Sequence, residues 1–364
     1  MTKTLLTIIR WVVGLLFIFS GLIKANDPLG LSYKMQEFFE AWGMQSFNDF
    51  TLTLSLIMNV FEVLAGVAII VGWRIKLFTW LLLLLIIFFT FLTGYAVFSG
   101  KIKTCGCFGD CLPLTPIQSF LKDVVLLLLI LVLFVNRNKI RYSLKGFAAP
   151  LILIITIVVI SGFQSYVLAN LPVIDCLPYK KGNNLIEQMK VPEGAVPDSF
   201  AITFKYKKNG KILEFDADHF PEDFDDSYEY IDRFDKLVRK GNATPAISDF
   251  NLETLSGNDT TQALLETPEY VLVFTQNFIN WQKQEDEFNK LKSVCEQKNV
   301  PVFIVTSSPD AAKNIADDAH ILRCDNTVIR TAARANPTYM LMQKANIIAK
   351  ESYKNVDKLI NKLK

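Results

Sequence analysis

The chain has 364 residues, of which 51% are hydrophobic, and a formal net charge of +2 at neutral pH. So small a net charge gives no indication of nucleic acid or of any strongly charged partner. The apolar excess lies almost entirely before residue 170, and the remainder has the composition of a soluble protein. The sequence therefore predicts a membrane region followed by a soluble region.

The membrane region is predicted from five segments that are long and apolar enough to cross roughly 30 Å of hydrocarbon. They are Leu5–Ile23, Leu52–Val71, Leu77–Phe98, Ile117–Val135 and Ala148–Leu168. The first has a longer apolar run than a signal peptide, and no small-x-small cleavage site follows it. We therefore expect it to be retained as a helix.

The orientation of these segments is predicted from the basic residues that connect them. If the segments alternate, seven basic residues share one side: Lys3, Arg74, Lys76, Arg137, Lys139, Arg141 and Lys145. The other side has Lys24, Lys34, Lys101 and Lys103, spread over longer loops. The positive-inside rule then makes the N-terminus cytoplasmic. We expect a multi-pass protein of the bacterial inner membrane, with everything after Leu168 in the periplasm, where disulfides persist.

Two ionisable residues lie inside predicted spans, Arg10 in the first and Glu62 in the second. A charge in hydrocarbon is costly, so such residues pair with each other or line a functional cavity. Counted from the cytoplasmic helix ends, their depths differ by roughly 6 Å, which their side chains can bridge. Three interpretations stay open: an ion pair, proton delivery to a quinone, or a side chain that reaches the interface alone. Asn59 lies one turn before Glu62 and is expected to join the same polar cluster.

Three cysteines lie within seven residues between the third and fourth spans: Cys105, Cys107 and Cys111. A disulfide between Cys105 and Cys107 closes a small, strained ring and is more oxidising than a structural bridge. Gly106 gives the backbone the freedom that this ring needs. Cys111 is then either a resolving thiol or a structural partner. A redox-active pair, a structural disulfide and a metal site are the alternatives.

A metal site is disfavoured because no histidine precedes residue 219 and the loop offers no fourth ligand besides Asp110 or Cys176. Cys176 follows the fifth span by eight residues and emerges on the same side as the loop. It is therefore a candidate fourth thiol, able to pair with a cysteine of the loop. We predict no metal.

Asp123 follows Lys122 just inside the outward end of the fourth span, twelve residues after Cys111. A carboxylate beside a thiol raises the thiol pKa and can carry its proton. The simpler alternatives are that Asp123 pairs with Lys122 or caps the start of the helix.

These residues carry a resemblance to a known family. The residues concerned are Arg10, Ser20 to Lys24, Asp27-Pro28, Glu62 with Gly66, Cys105 to Gly109 and Lys122-Asp123. Together they resemble the DoxX/MauE superfamily over residues 1–137, which implies a four-helix membrane bundle, with residues 138–170 as a fifth transmembrane helix. The MauE branch is linked to maturation of methylamine dehydrogenase and to disulfide formation, and DoxX to thiosulfate:quinone oxidoreductase. The layout is also similar to vitamin K epoxide reductase, but the helix-borne Cys-x-x-Cys of that enzyme is absent here.

Residues 171–242 are predicted to form a small β-rich linker region. Phe200 to Tyr206 alternates in polarity, and Asn209-Gly210 separates it from a second run, Lys211 to Phe215. Asn-Gly between two such runs is a strong hairpin signal. The acidic and aromatic stretch from Asp216 to Asp235 is expected to be a solvated loop.

Residues 243–364 resemble the thioredoxin-like fold of peroxiredoxins and TlpA-type proteins. A strand at Tyr270–Phe274, a helix and a strand at Val300–Thr306 form a βαβ unit. Asn336, Pro337 and Thr338 precede a further strand and resemble the thioredoxin cis-proline segment. The resemblance implies that these three residues shape a surface for an extended partner.

The resemblance fails at the position of the thioredoxin Cys-x-x-Cys. Residues Gln276 to Trp281 stand there and include no nucleophile. Cys295 is expected to lie in the core, and Cys324 is a weaker redox candidate. We therefore expect the outer domain to bind rather than to catalyse.

Two functional hypotheses follow. In the first, the chain is a thiol:quinone oxidoreductase that passes electrons from a periplasmic thiol protein or small sulfur compound to a membrane quinone. Its candidate catalytic residues are Cys105, Cys107, Cys111, Cys176, Glu62 and Asp123, and its candidate quinone-binding residues are Arg10 and Glu62. In the second, the chain is a non-catalytic scaffold or maturation factor of the MauE type, whose outer domain binds a partner.

Overall fold

The computed structural model describes residues 2–102, 106–140, 147–197, 199–216, 219–221, 224–239, 241 and 243–363. Cys105 lies outside these ranges, and so do Arg141 and Lys145.

In the described part of the chain, the membrane region consists of six helices, and the cysteine loop lies between the fourth and the fifth. They are α1 (Lys3–Asn26), α2 (Pro28–Ala41), α3 (Thr51–Val71), α4 (Ile75–Ser99), α5 (Pro116–Val135) and α6 (Ala148–Asn170). Among the described residues, five helices are long and apolar enough to cross a membrane, namely all of these except α2. The predicted spans are confirmed, and the chain is a multi-pass membrane protein.

Glycines set the register of α1 against α3. A Cβ added to Gly14 would lie 2.9 Å from the carbonyl oxygen of Gly66, and one added to Gly21 would lie 3.2 Å from that of Asn59. Only residues without side chains allow the two backbones to approach so closely. The helices therefore run antiparallel with Gly14 opposite Gly66 and Gly21 opposite Asn59. Helix α4 packs along α5, and a cleft remains between this pair and α1 with α3.

Helix α2 covers one end of that cleft. Asp27 caps its start, because one carboxylate oxygen accepts a hydrogen bond from the Gly30 amide at 3.0 Å. Phe38 on its inner face packs against Trp42 and against Tyr95 of α4. The helix therefore lies at the end of the bundle that also carries the cysteine loop.

A three-stranded antiparallel sheet follows the membrane region, in the order β2-β1-β3. Its strands are β1 (Ser199–Lys208), β2 (Lys211–Asp216) and β3 (Glu229–Arg239). The expected hairpin is present, with Asn209 and Gly210 both at positive φ. The expectation of a loop throughout Asp216–Asp235 was wrong, since β3 begins at Glu229 and pairs with β1. Its described side chains are largely exposed on both faces, so β3 has no apolar alternation to reveal it.

The C-terminal part is an α/β domain built on a six-stranded sheet in the order β4-β7-β6-β5-β8-β9. The strands are β4 (Glu253–Thr254), β5 (Tyr270–Thr275), β6 (Val302–Thr306), β7 (Ile321–Arg323), β8 (Thr338–Gln343) and β9 (Asn346–Ser352). Strands β5, β6 and β7 are parallel, β8 is antiparallel to β5, and β9 is antiparallel to β8. The shorter helices are α7 (Leu185–Gln188), α8 (Thr261–Glu266), α9 (Glu285–Gln297), α10 (Pro309–Ala312), α11 (Asn326–Ala332) and α12 (Val356–Ile360).

The segment after α6 belongs structurally to this domain. Tyr179 and Leu185 are buried in the same hydrophobic core as Leu252 and Tyr270. The Leu185 amide also donates a hydrogen bond to the carbonyl of Ala345 at 2.8 Å. The predicted linker region, residues 171–242, therefore includes a segment that packs into the α/β core.

Candidate functional site

The cysteine loop is covalently joined to the segment that leads into the α/β domain. Cys111 and Cys176 form a disulfide with their Cα atoms 4.9 Å apart. This is one of the pairings that the sequence left open, and it does not support Cys111 as the resolving partner of Cys105 or Cys107. The expected Cys105–Cys107 pair lies outside the described residues, because Cys105 does.

The loop enters the bundle at Cys107. The Ser20 hydroxyl lies 3.1 Å from the carbonyl oxygen of Cys107 and 3.0 Å from one carboxylate oxygen of Glu62. Ser20 is six residues before the end of α1, which places it about 9 Å below the helix end. Cys107 therefore lies within the bundle rather than above it. The Ser20 hydroxyl lies between its carbonyl oxygen and the buried carboxylate of Glu62.

Glu62 forms an ion pair with Lys24, and both side chains are buried. An Arg10–Glu62 ion pair, one of the three interpretations that the sequence left open, does not form. The glycine contacts between α1 and α3 place Arg10 opposite Ile70, eight residues from Glu62 and so about 12 Å away along the axis. That interpretation assumed that both helices begin at the same depth.

Asn59 does not join the Glu62 cluster, which corrects a second expectation. Its side-chain amide donates to the Gln164 side chain at 3.0 Å, and Gln164 donates to the Leu56 carbonyl at 3.2 Å. Gln164 belongs to α6, so this buried amide pair attaches the fifth spanning helix to α3.

Asp123 is buried beneath the cysteine loop and has two partners. Lys122 lies 2.5 Å from one carboxylate oxygen, and the Thr93 hydroxyl donates to the other at 3.1 Å. The Lys122 ammonium group also lies 5.1 Å from the ring centre of Phe108. Thr115 caps α5 instead of Asp123. The pairing with Lys122 is thus present, and it lies next to the loop.

A cavity of about 190 Å³ connects these groups. Its polar end is lined by Ser20, Lys24, Glu62, Cys107, Lys122 and Asp123. Its remaining wall includes Lys34 but is otherwise apolar, with Met58 and the aromatic side chains of Phe38, Phe39, Trp42, Phe88 and Phe89. Of the predicted site residues, the cavity brings together Cys107, Glu62 and Asp123. Arg10 is not part of its wall.

The predicted partner-binding segment faces the membrane region. The Asn336–Pro337 peptide bond is cis, and both Pro337 and Thr338 are buried. The Asn336 side chain accepts a hydrogen bond from the Gln276 amide at 2.8 Å. Tyr33 of α2 in turn donates to the Gln276 side chain at 3.0 Å. Gln276, which begins the segment where a thioredoxin carries its thiols, is therefore hydrogen-bonded to helix α2 of the same chain.

Arg334 joins three parts of the molecule and is only 5% exposed. Its guanidinium lies 2.8 Å from Asp27 at the start of α2 and 3.0 Å from Asp110 of the cysteine loop. Burial opposes its charged form, but the two carboxylates outweigh burial and raise the pKa of Arg334. Sequence reasoning missed this contact because 307 and 224 residues separate the partners.

A second ion pair connects the α/β domain to the disulfide. Lys350 of β9 lies 2.7 Å from Asp175, the residue before Cys176. Burial lowers the pKa of Lys350, and the carboxylate of Asp175 opposes this shift. An ion pair to the outer domain therefore lies beside each half of the disulfide: Asp110 precedes Cys111, and Asp175 precedes Cys176.

The two cysteines of the α/β domain are core residues. Cys295 and Cys324 are buried, and burial raises the pKa of each thiol to about 12. A thiol with so high a pKa is protonated at neutral pH and is not a nucleophile. Within the described ranges, no three His, Cys, Asp or Glu side chains lie close enough to hold a metal ion.

Comparison with known proteins adds independent information. Residues 2–136 match the family of methylamine utilisation protein MauE. The first four spanning helices are therefore similar to MauE. Residues 200–240 match a domain of unknown function (DUF8463). A stretch of 50 residues is 40% identical to Protein TlpB of Flavobacterium psychrophilum and covers 14% of this chain and 12% of that protein. No solved structure gives a significant match.

The MauE-like region contains the whole polar end of the cavity. Lys24, Glu62, Cys107 and Asp123 lie within the matched residues. Helix α6, Cys176 and Arg334 lie outside them. Cys176 and Arg334, which hold the cysteine loop, therefore lie outside the part of the chain that is similar to MauE.

Proposed function

We propose that the chain is a membrane thiol oxidoreductase in which Cys105 and Cys107 reduce a lipid-soluble quinone bound in the cavity. One observation carries the proposal: Cys107 lines the same aromatic-walled cavity as a buried Lys24–Glu62 pair. Charged groups inside a membrane bundle are costly and mark functional sites. The MauE-like character of the bundle supports it, since the MauE branch is linked to disulfide formation.

The reaction transfers two electrons and two protons. The thiols of Cys105 and Cys107 form a disulfide and lose two hydrogens, and the quinone gains both as it becomes a hydroquinone. An external dithiol then reduces the Cys105–Cys107 disulfide by thiol–disulfide exchange and is itself oxidised. Atoms and electrons balance without a metal or a further cofactor.

The buried charges suit the proton and electrostatic needs of this reaction. The ammonium groups of Lys24 and Lys122 line the cavity as hydrogen-bond donors for quinone oxygens, where negative charge develops on reduction. Each ammonium has a carboxylate partner, Glu62 or Asp123, that can accept a thiol proton. The Ser20 hydroxyl lies between the backbone carbonyl oxygen of Cys107 and Glu62, and so holds the loop backbone beside that carboxylate.

The apolar wall suits the ring and tail of such a carrier. Aromatic side chains of α2 and α4 form much of the wall. A planar quinone ring stacks favourably on such surfaces, and lipid supplies it laterally.

We further propose that the outer domain is a thioredoxin-like fold that has lost its thiols. Its support is the parallel pair β5 and β6, the antiparallel β8 and β9, and the cis Asn336–Pro337 bond before β8. In this proposal the face that carries Gln276 and the cis-proline segment binds Tyr33 of α2, and Arg334 binds the cysteine loop. The domain thereby holds both over the cavity. A docking role toward the chain's own membrane region thus replaces the client-docking role expected from sequence.

For localisation, we propose the bacterial inner membrane with the α/β domain in the periplasm. The concentration of basic residues at the opposite end of the bundle supports this orientation. Alkaline phosphatase should be active when fused after Lys180 and inactive when fused after Lys139.

The test uses the purified full-length protein in lipid-containing detergent, with dithiothreitol as the electron donor and a short-chain ubiquinone as the acceptor. We expect quinone reduction well above the uncatalysed rate. Cys105→Ser and Cys107→Ser should each return it to background, and Cys295→Ser should leave it unchanged as the matched control. Wild-type rates in the Cys107→Ser variant would refute the proposal.

A maturation or assembly factor of the MauE type is the second candidate. The observation that favours it is the firm attachment of the α/β domain to the loop, through the disulfide, Arg334 and Lys350. Such a factor works without turnover at Cys107. A Cys107→Ser chain that fully replaces the wild type in cells would therefore favour this candidate.

A further inference from the structure

The end of the bundle opposite the α/β domain carries positive charge without protein counter-charge. No Asp or Glu occurs before Asp27, between Glu62 and Asp110, or between Asp123 and Asp175. These stretches contain the start of α1, the turn from α3 to α4 and the connection from α5 to α6. The basic side chains at this end therefore have no carboxylate partner in these stretches, and an anion from outside the chain could pair with them.

An open pocket of about 870 Å³ lies among these groups. It is lined by Trp73, Arg74, Lys76, Leu77, Arg137 and Asn138, together with two isoleucines. Three of the lining side chains are cationic and none is acidic. The pocket thus concentrates positive charge at the ends of two spanning helices.

One charged hydrogen-bond donor at this pocket lacks an acceptor in the described part of the chain. The guanidinium of Arg137 packs 4.1 Å from the ring centre of Phe134, and its Nη1 atom is buried without a hydrogen-bond partner among the described residues. A buried charged donor without an acceptor is unfavourable, and a bidentate oxygen anion would satisfy it. Helix α4 also begins here, and its first backbone hydrogen bonds are those that Leu77 and Phe78 donate to the Arg74 carbonyl, so the amides of Ile75 and Lys76 precede them.

We propose that this pocket binds the phosphate of an anionic phospholipid headgroup. A lipid is favoured over free phosphate because the pocket lies at the helix ends, where headgroups lie, and because exposed Leu77 and partly exposed Trp73 border it. Basic pockets between spanning helices recognise anionic headgroups through such charges. The inference is independent of the redox proposal, since it involves the other end of the bundle.

The test measures binding of dioleoyl phosphatidylglycerol to the full-length protein in neutral detergent, by native mass spectrometry. Dioleoyl phosphatidylcholine and inorganic phosphate are the comparison ligands. We expect phosphatidylglycerol to bind more tightly than either. Arg137→Gln and Arg74→Gln should each weaken it about fivefold, the effect of one interfacial charge. Arg137→Lys should keep most of the affinity.

Lys292→Gln is the matched control, because it removes one positive charge from an exposed site in the α/β domain. Its affinity for phosphatidylglycerol should equal that of the wild type. Equal binding of the two lipids, or wild-type affinity in both glutamine variants of the pocket, would overturn the proposal. Displacement of phosphatidylglycerol by equimolar inorganic phosphate would also overturn it, in favour of a free-anion site.

Discussion

Arg334 of the α/β domain lies 3.0 Å from Asp110, a residue of the loop that contains Cys107 and Cys111. The same guanidinium binds Asp27, which caps α2 over the cavity. One side chain therefore fixes both the loop and the covering helix. It makes the outer domain part of the membrane site although that domain contributes no reactive thiol to it.

Replacing Arg334 with glutamine should destabilise the protein strongly. The largely buried Asp27 carboxylate would lose its counter-charge, and breaking a buried pair costs about 3–5 kcal/mol; the exposed Asp110 should add little. Denaturant unfolding of the full chain in detergent measures this change. Arg233→Gln is the control, since its pair with Asp235 is exposed and should contribute nothing measurable. Equal stabilities of the two variants would contradict the role given to Arg334.

The Lys24–Glu62 pair should behave as a coupled unit. Lys24→Met or Glu62→Gln alone leaves one charge buried in the bundle and should lower the unfolding free energy by about 3–5 kcal/mol. The double variant should recover most of that stability, because no uncompensated charge remains. Quinone reduction should nevertheless stay low in it, since donor and acceptor are both gone. A fully active double variant would exclude the pair from the reaction.

Peptide mapping under non-reducing conditions should recover Cys111 linked to Cys176. Cys111→Ser and Cys176→Ser should each lose stability to a similar extent, about 4 kcal/mol for a separation of 65 residues. A peptide in which Cys111 is linked to Cys105 or Cys107 would instead restore the resolving role that the sequence suggested.

Alkylation should spare Cys295 and Cys324 in the folded protein. Burial raises both pKa values to about 12, so at pH 8 about one thiol in ten thousand is ionised. Labelling should therefore rise about tenfold per pH unit between pH 8 and pH 10, as long as the fold persists. Iodoacetamide labelling followed by mass spectrometry checks this. Rapid labelling at pH 7 would mean that one of them is a reactive thiol.

The sequence was sufficient for features that depend on local composition. Apolar length identified the spanning helices, and Asn209-Gly210 identified the hairpin, because hydrocarbon thickness and turn geometry act on neighbouring residues. The missing nucleophile between Gln276 and Trp281 was equally visible.

The partners of the buried charges were not predictable in this way. Whether Glu62 meets Arg10 or Lys24 depends on helix register, which the contact of Gly14 with Gly66 sets across more than fifty residues. The Asp110–Arg334 contact depends on how an entire domain docks. Pairing between distant segments is decided by tertiary packing, and one sequence contains no direct signal of it.

The most direct test of the redox proposal is an anaerobic, single-turnover titration. Full-length protein, reduced and freed of reductant, is mixed with one equivalent of short-chain ubiquinone. The proposal predicts one hydroquinone formed per chain, together with the loss of two thiols that map to Cys105 and Cys107. Cys107→Ser should form none. Absence of hydroquinone in the wild type, or its formation in Cys107→Ser, would contradict the proposal.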